Sequence, residues 1–439
     1  MIRNSEYYKK ELKKAIRKIS QNKEQYVIEP EKNFTRKRKL PLDVTLRTMM
    51  SLGGSSLNRE MLDIFNFDTD MPSSQAFLKR RSKILTKAYE DIFYSFTQTC
   101  SSPKLFKGYR LLAVDGSDLH VPTNPREEDS FFPERKNLKA YNLLHLNAMY
   151  DLNEHIYTDA VIQSAHKHDE CAAFTAMVDR YHSSHPAIFI ADRGFEAYNN
   201  LAHVQEAGQR FLIRVRDITS HACISQRFDL PENDEFDKSF NVGLTKKRTN
   251  EAKKSDLIIL SHITKFDYLP ENCHKNVEVK PYNLFLRFVR VKVTDNLYEL
   301  LLTNLPVNEF SPDDLKELYA MRWGIETSFR DLKYTVGLIY FHSKKTEYII
   351  QEIWARLTMY NFSELIISHI IISKRRKERV VKVVFSSAVH ICYQFFLNKI
   401  SPSEVDSLIP RYVSNVRTHK PAKRIISKKT YISFFYRIA

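Results

Sequence analysis

The chain has 439 residues, 43% hydrophobic and 12% aromatic, enough for one large domain with additions or about two to three domains. Five scattered cysteines (Cys100, Cys171, Cys223, Cys273, Cys392) without CxxC or CxxxxH spacing speak against structural zinc and a disulfide frame, and 9 glycines and 16 prolines speak against long low-complexity tracts. The net charge of +16 is concentrated at the ends, where residues 1–40 hold 13 Lys/Arg against 5 Asp/Glu and residues 374–439 hold 15 against 3; basic ends suit a polyanion, most simply nucleic acid, although solvated helix faces would look alike.

The opening MIRNSEYYKK is too charged for a signal peptide. The longest apolar stretches, LIISHIIIS and VVFSSAVHICYQFFL, are short for a membrane span and interrupted by polar groups. A soluble cytoplasmic protein is therefore expected. Residues 5–25 read as a charged helix, and FTRKRKLPLDVTLRTMM (34–50) turns from basic to amphipathic. SSQAFLKRRSKILTKAYEDIFYSF (73–96) has helical apolar spacing with a basic face of Lys79, Arg80, Arg81 and Lys83. A helical N-terminal module to about residue 100 follows. SLGGSSLN (51–58) lacks the GK[ST] ending of a phosphate loop and reads as a turn.

From residue 109 the pattern becomes strand-like. YRLLAVDGSDLHV reads as a strand reaching Asp115, with Gly116 letting the chain bend. YNLLHLNAMYDLNEHIYTDAVIQ reads as two strands about a turn at Asp151–Glu154. DECAAFTAMVDRYHSS reads as a helix, AIFIADRGF as a buried strand ending at Asp192, EAYNNLAHVQEAG as a helix and RFLIRVR as a strand. That order predicts an α/β sheet, antiparallel on one side and parallel on the other, whose active groups gather at strand ends. Taken singly, each aspartate could equally be an ordinary turn residue. Residues 217–300, with the basic loop LTKKRTNEAKK and the apolar runs of NLFLRFVRVKVTDNLYELLLTNLP, read as a β-rich insertion. HKHDE (166–170) could suggest a metal cluster but reads better as a polar loop leading into a helix, and His145 and His155 read as packed or surface histidines. No GxSxG appears.

The stretch LYAMRWGIETSFRDLKYTVG (318–337) carries the chemistry. Ser311 is a fitting N-cap, Pro312 suits the first helical position, and Asp313 and Asp314 suit the positive end of the dipole. Leu318, Met321, Ile325, Phe329, Leu332 and Val336 form a core-facing stripe. Tyr319, Arg322, Glu326 and Lys333 line an adjacent edge over about 21 Å, with Trp323 and Arg330 just beyond it. An ordinary Arg322–Glu326 pair on a solvated face is the plain reading of this edge. Asp115, Asp192 and Glu326 converging would instead supply the oxygen ligands that a pair of hard divalent cations needs for in-line phosphoryl transfer, with Arg322 and Lys333 beside them for phosphate charge.

DGS at Asp115, DRGF at Asp192 and LYAMRWGIETSFRDLK at 318–333 resemble the bacterial insertion-sequence DDE transposases with a Tyr-Arg-Glu-Lys signature. The likeness extends to LLTNLP (301–306) and QEIWARLTMYNF (351–362), covering roughly residues 100–365. It implies a ribonuclease-H-like α/β mixed sheet flanked by helices, in two parts (101–216 and 301–372) divided by the β-rich insertion (217–300). A helical DNA-binding module (1–100) would precede it and a basic, helical C-terminal region (373–439) would follow. It implies that Asp115, Asp192 and Glu326 bind two Mg²⁺ or Mn²⁺ ions. Water would then nick the DNA at terminal inverted repeats, the freed 3′-OH would form a hairpin, and the reopened end would join target DNA. It implies that Tyr319, Arg322 and Lys333, with Arg330 and Trp323 beside them, contact DNA phosphates. It further implies a homodimer synapsed on double-stranded DNA in the bacterial nucleoid. The only tryptophans are Trp323 and Trp354, so Tyr282, Phe285, Phe288 or Tyr298 of the insertion would serve to stack a flipped base. A ribonuclease-H-like nuclease without strand transfer, or a non-catalytic DNA-binding derivative, are the alternatives.

Overall fold

The computed structural model describes residues 3–36, 38–135, 138–218, 223–231, 234–270, 280–294, 297–370 and 381–415. The rest of the basic C-terminal region therefore lies outside the described residues. The N-terminal part is helical: α1 (Ser5–Gln21), α2 (Lys23–Tyr26), α3 (Leu42–Ser51), α4 (Leu57–Ile64), α5 (Ser74–Arg81) and α6 (Lys87–Cys100). In α1, the Asn4 side chain caps the first turn, and Tyr8, Leu12, Ala15, Ile16 and Ile19 are buried at helical spacing. Lys10, Lys14, Arg17 and Lys18 are left exposed on the other face.

The centre is one sheet built from β1 (Arg110–Val121), β2 (Phe131–Phe132), β3 (Tyr141–Asp151), β4 (Ile156–Ser164), β5 (Ala187–Ala191), β6 (Arg210–Val215), β7 (Phe236–Thr245), β8 (Ile258–Ile259), β9 (Tyr282–Thr294) and β10 (Leu297–Thr303). Its order is β3-β1-β5-β6-β10-β9-β7-β8, with β2 and β4 on the outer side of β3. β4 and β1 each run antiparallel to β3 between them, β1, β5 and β6 are parallel, and β10 and β9 return antiparallel. The expected mixture of antiparallel and parallel strands is therefore present. The β-rich stretch 217–300 is largely an edgewise extension of this sheet, because β9 pairs with β10 along its length and carries β7 on its far side.

The remaining helices are α7 (Glu170–Asp179), α8 (Tyr198–Glu206), α9 (Asn250–Lys254), α10 (Pro312–Met321), α11 (Trp323–Tyr334), α12 (Thr346–His369), α13 (Phe385–Phe396) and α14 (Pro402–Leu408). They cover both faces of the sheet. Strand alternation sorts the core: Leu111 and Ala113 of β1 with Ile188 and Ile190 of β5 enter one apolar cluster, and Leu112, Val114, Phe189 and Ala191 enter the other. The first cluster joins the sheet to α1, α3, α6 and α10–α13; the second joins it to α7 and α8. Each large apolar side chain buried there contributes about 1.5–3 kcal/mol.

α12 is the axle of the first cluster, with residues 351–363 all buried. Several of its polar side chains bond to neighbouring elements. Asn361 donates to Thr97 Oγ1 (2.9 Å) and the Tyr157 carbonyl (2.7 Å), and Gln351 donates to the Ile84 carbonyl (2.8 Å). Two expectations change here. The 73–96 stretch breaks into α5 and α6, and Arg81, read as part of a solvated basic face, is 1% exposed and paired at 2.9 Å with the equally buried Glu352. That partner is 271 residues away, so no local periodicity could reveal it.

Candidate active site

The same alternation that builds the cores places the acids. Asp115 continues the Leu111–Ala113 side of β1, and Asp192, immediately after β5, continues the Ile188–Ile190 side. β1 and β5 pair in parallel as far as Ala113 opposite Ile190. Two residues further along stand Asp115 and Asp192, near enough for the charge of Asp192 to act on Asp115. Asp115 does not end its strand: β1 runs on to Val121, because β3 keeps pairing with it from Asp115↔Ala148 to Val121↔Asn142. Gly116 therefore bends nothing. Asp192 does end its strand, caps the following short turn, and accepts the Gly194 amide at 2.8 Å.

Glu326 arrives from the other side. Ser311 and Asp314 form a capping box with Pro312 at the start of α10. The single long helix expected over the signature is in fact two, α10 and α11, joined at Arg322. There the backbone tightens to a three-residue turn, with Arg322 N–H donating to the Tyr319 carbonyl and Ile325 N–H to the Arg322 carbonyl. Ile325, Ser328, Phe329 and Leu332 bury the inner face of α11. Ser328 Oγ meets Tyr157 Oη at 2.8 Å, which seats α11 on β4. Glu326 lies in the first turn of α11, where the helix dipole favours a carboxylate.

Arg322, 4% exposed, connects the acids. Its Nη2 donates to Glu326 Oε1 at 2.8 Å, and its Nη1 lies 3.6 Å from Asp115 Oδ2. Burial pushes Asp115 up to about 6; the Gly116 amide and Arg322 oppose that push, and the charges of Asp192 and Glu326 reinforce it. The three acids thus share one electrostatic environment. Tyr319 is buried, its ring flanked by the guanidinium groups of Arg322 (5.6 Å) and Arg214 (5.7 Å). Trp323 is half-exposed beside Arg322 (5.7 Å), and Arg330 is exposed one turn beyond Glu326. Lys333 Nζ donates to the Asp118 carbonyl at 2.7 Å, and burial lowers its pKa.

Among the described residues no group of three or more His, Cys, Asp or Glu is gathered closely enough to hold a metal ion together. The donor set nonetheless suits a hard divalent cation: three carboxylates, one of them with its pKa raised by burial and by the other two. Arg322 supplies the counter-charge between two of them. Of the proposed stacking residues, Phe288 is wholly buried in the second core, Tyr282 stacks on Tyr268 and donates to Glu206 (2.8 Å), and Tyr298 lies under Arg290 at 4.4 Å.

Sequence reading missed three residues behind this site. HKHDE yields, as expected, a polar turn into a helix, with Asp169 as the N-cap of α7. Its next residue, Glu170, however, lies 2.9 Å from His145 Nε2, whose Nδ1 is 2.8 Å from Asp118. The signal would have been Asp118 and His145, which face each other across β1 and β3, but the pairing register is not visible in either strand alone.

Residues 106–362, more than half of the chain, match the family of the transposase DDE domain. The chain belongs to that family. This DDE transposase is 22% identical, over 343 residues, to the transposase InsG for insertion sequence element IS4 of Escherichia coli strain K12, spanning 74% of this chain and 70% of that protein. Among solved structures, the piggyBac transposase synaptic complex with hairpin DNA, determined by cryo-EM, gives a TM-score of 0.44 at 10% identity, covering 98% of this transposase and 88% of that chain. Both are similar proteins; the faint structural likeness fixes no feature of this one. Among the described residues no helix is long and apolar enough to cross a membrane.

Proposed function

We propose that this transposase cuts DNA at the terminal inverted repeats of an insertion sequence and joins the freed ends to target DNA by cut-and-paste, through a hairpin. The observation that carries the reading is Arg322 in contact with Asp115 and Glu326, while Asp192 stands at the neighbouring strand end, all inside the matched family span. The order β4-β3-β1-β5-β6, antiparallel then parallel, supports a ribonuclease-H-like catalytic domain in two parts (101–216 and 301–372). The helices of residues 1–100 and the basic C-terminal region (373–439) would hold the DNA, and the β7–β9 extension belongs to the 217–300 insertion.

Asp115, Asp192 and Glu326 would hold two Mg²⁺ or Mn²⁺ ions. When bound, such ions activate the attacking oxygen and stabilise the leaving one in phosphoryl transfer. Arg322, held by Tyr319 and Trp323, presents a bidentate cation to the scissile phosphate and balances the carboxylate charge when DNA is absent. Arg330 and half-exposed Trp323 extend the contact along the strand. Lys333 anchors α11 to β1 through the Asp118 carbonyl, which fixes Glu326, and would add positive charge for the same phosphates. The working unit is a homodimer synapsed on two ends of double-stranded DNA.

The test is incubation of purified protein with a labelled inverted-repeat end and Mg²⁺. Nicked, hairpin and joined products are expected, and Asp192→Ala abolishes all three while retaining end binding. Nicking with no joined product would reduce the activity to that of a nuclease, and cleavage by Asp192→Ala would refute the assignment.

A further inference from the structure

Three polar side chains on the opposite face of the sheet have no part in the mechanism above. Asp118 on β1 and His145 on β3 are register partners, and both belong to the face covered by α7. His145 is buried, with Nδ1 2.8 Å from Asp118 Oδ1 and Nε2 2.9 Å from Glu170 Oε1. Burial works against a charge on the imidazole, but the two carboxylates outweigh it and raise its pKa to about 9. The result is a carboxylate–imidazolium–carboxylate bracket spanning β1, β3 and the first turn of α7.

The bracket touches the supports of all three acids. Directly behind Asp115 is Gly116; a Cβ placed there would come 2.4 Å from His145 Nε2 and 2.6 Å from Glu170 Oε1. Glycine is therefore required for the His145–Glu170 pair to press against the strand next to Asp115. Glu170 Oε2 also lies 3.7 Å from where a Gly194 Cβ would be, and the Gly194 amide is the donor that orients Asp192. On the far side, the carbonyl of Asp118 receives Lys333 of the helix that carries Glu326.

We propose that Asp118, His145 and Glu170 are positioning residues that lock the strand of Asp115, the turn of Asp192 and the helix of Glu326 relative to one another, and so set the affinity for divalent ions. The inference rests on the metal-dependent reading of the three acids. Groups that orient metal ligands from behind typically change metal affinity by about 10–100-fold when removed. A merely structural role would lower stability without moving the ion requirement.

The experiment compares Glu170→Gln and Gly116→Ala with wild type on the same labelled DNA end. Two quantities are read: the Mg²⁺ concentration for half-maximal cleavage, and Mn²⁺ binding to the DNA-bound protein by electron paramagnetic resonance. Glu170→Gln is expected to raise the Mg²⁺ requirement and weaken Mn²⁺ binding by about tenfold or more, with end binding unchanged and cleavage restored at high Mg²⁺. Gly116→Ala, which pushes the bracket away from the other direction, should do the same. If either variant fails to fold, the other still decides. Unchanged Mg²⁺ requirement and Mn²⁺ affinity in the folded variants would overturn the positioning role while Asp192→Asn still abolishes cleavage. Retained cleavage by Asp192→Asn, with no Mn²⁺ bound to wild type, would overturn the reading beneath it.

Discussion

Two arginine–carboxylate clusters lie on the same side of the sheet and have opposite characters. Around Glu352 the cluster is sealed: Arg81 pairs with it at 2.9 Å, His342 Nδ1 at 3.0 Å, and His342 Nε2 reaches Glu60 at 3.4 Å, all of them buried. Glu60 accepts the amides of Gly53 and Ser55, and Arg356 donates to the Gly53 carbonyl. This cluster stitches the N-terminal helices to α12. Burial alone would raise Glu352, yet Arg81 and His342 overcome it and bring it down to about 2. Around Arg322 the cluster is open: one guanidinium serves Asp115 and Glu326, Asp192 stands nearby, and Asp115 is pushed up to about 6. Fully matched charge holds a fold together, whereas a surplus of carboxylates around one arginine is suited to binding something positive.

The largest expected contrast comes from removing one acid from each cluster. Glu326→Ala should lose DNA cleavage altogether and unfold near the wild-type temperature. Glu352→Ala leaves Arg81 buried without its carboxylate and should lose about 3–5 kcal/mol in denaturant unfolding. If Glu326→Ala proves the more destabilising of the two, the distinction between the clusters fails. Next, Arg322→Ala should slow single-turnover cleavage by about a hundredfold while changing end binding much less, because phosphate contacts elsewhere dominate affinity; equal losses in both would remove Arg322 from the scissile phosphate.

pH sharpens the comparison further. His342 is opposed by burial but raised to about 9 by Glu352 and Glu60. A raised histidine contributes stability that is fully present below its ordinary value of 6.5 and lost as pH rises through about 9. The melting-temperature gap between wild type and His342→Gln should therefore be widest near pH 6 and close above pH 9; a constant gap would contradict a charged His342. Asp115 gives the smallest effect and the opposite consequence. Its ionisation costs folding energy once pH passes from its ordinary 3.8 through about 6. Asp115→Asn should then be more stable than wild type by about 3 kcal/mol at pH 8 and little more stable at pH 4. A destabilised variant at pH 8 would mean that Arg322 matches Asp115 completely.

Much of this was legible in the chain. The alternating strands, the Ser311–Pro312 helix start and the apolar stripe of Ile325, Phe329 and Leu332 follow from local periodicity, and all three are found. The parity that puts Asp115 and Asp192 on one face follows from the same rule. What escaped depends on partners distant in sequence. Gly116 makes Asp115 look like a strand end, but β3 pairs through it. The helix break at Arg322 has no proline to announce it. Arg81 looks solvated until Glu352 is beside it, and Glu170 looks like loop until α7 is laid behind β1.

The central claim is that three acids from two strand positions and one helix act together on metal ions against DNA. Titrating Mn²⁺ into the protein bound to its inverted-repeat end, followed by electron paramagnetic resonance, tests it most directly. The account predicts two bound ions in wild type and loss of at least one in each of Asp115→Asn, Asp192→Asn and Glu326→Gln. Ion binding untouched by all three substitutions would contradict it.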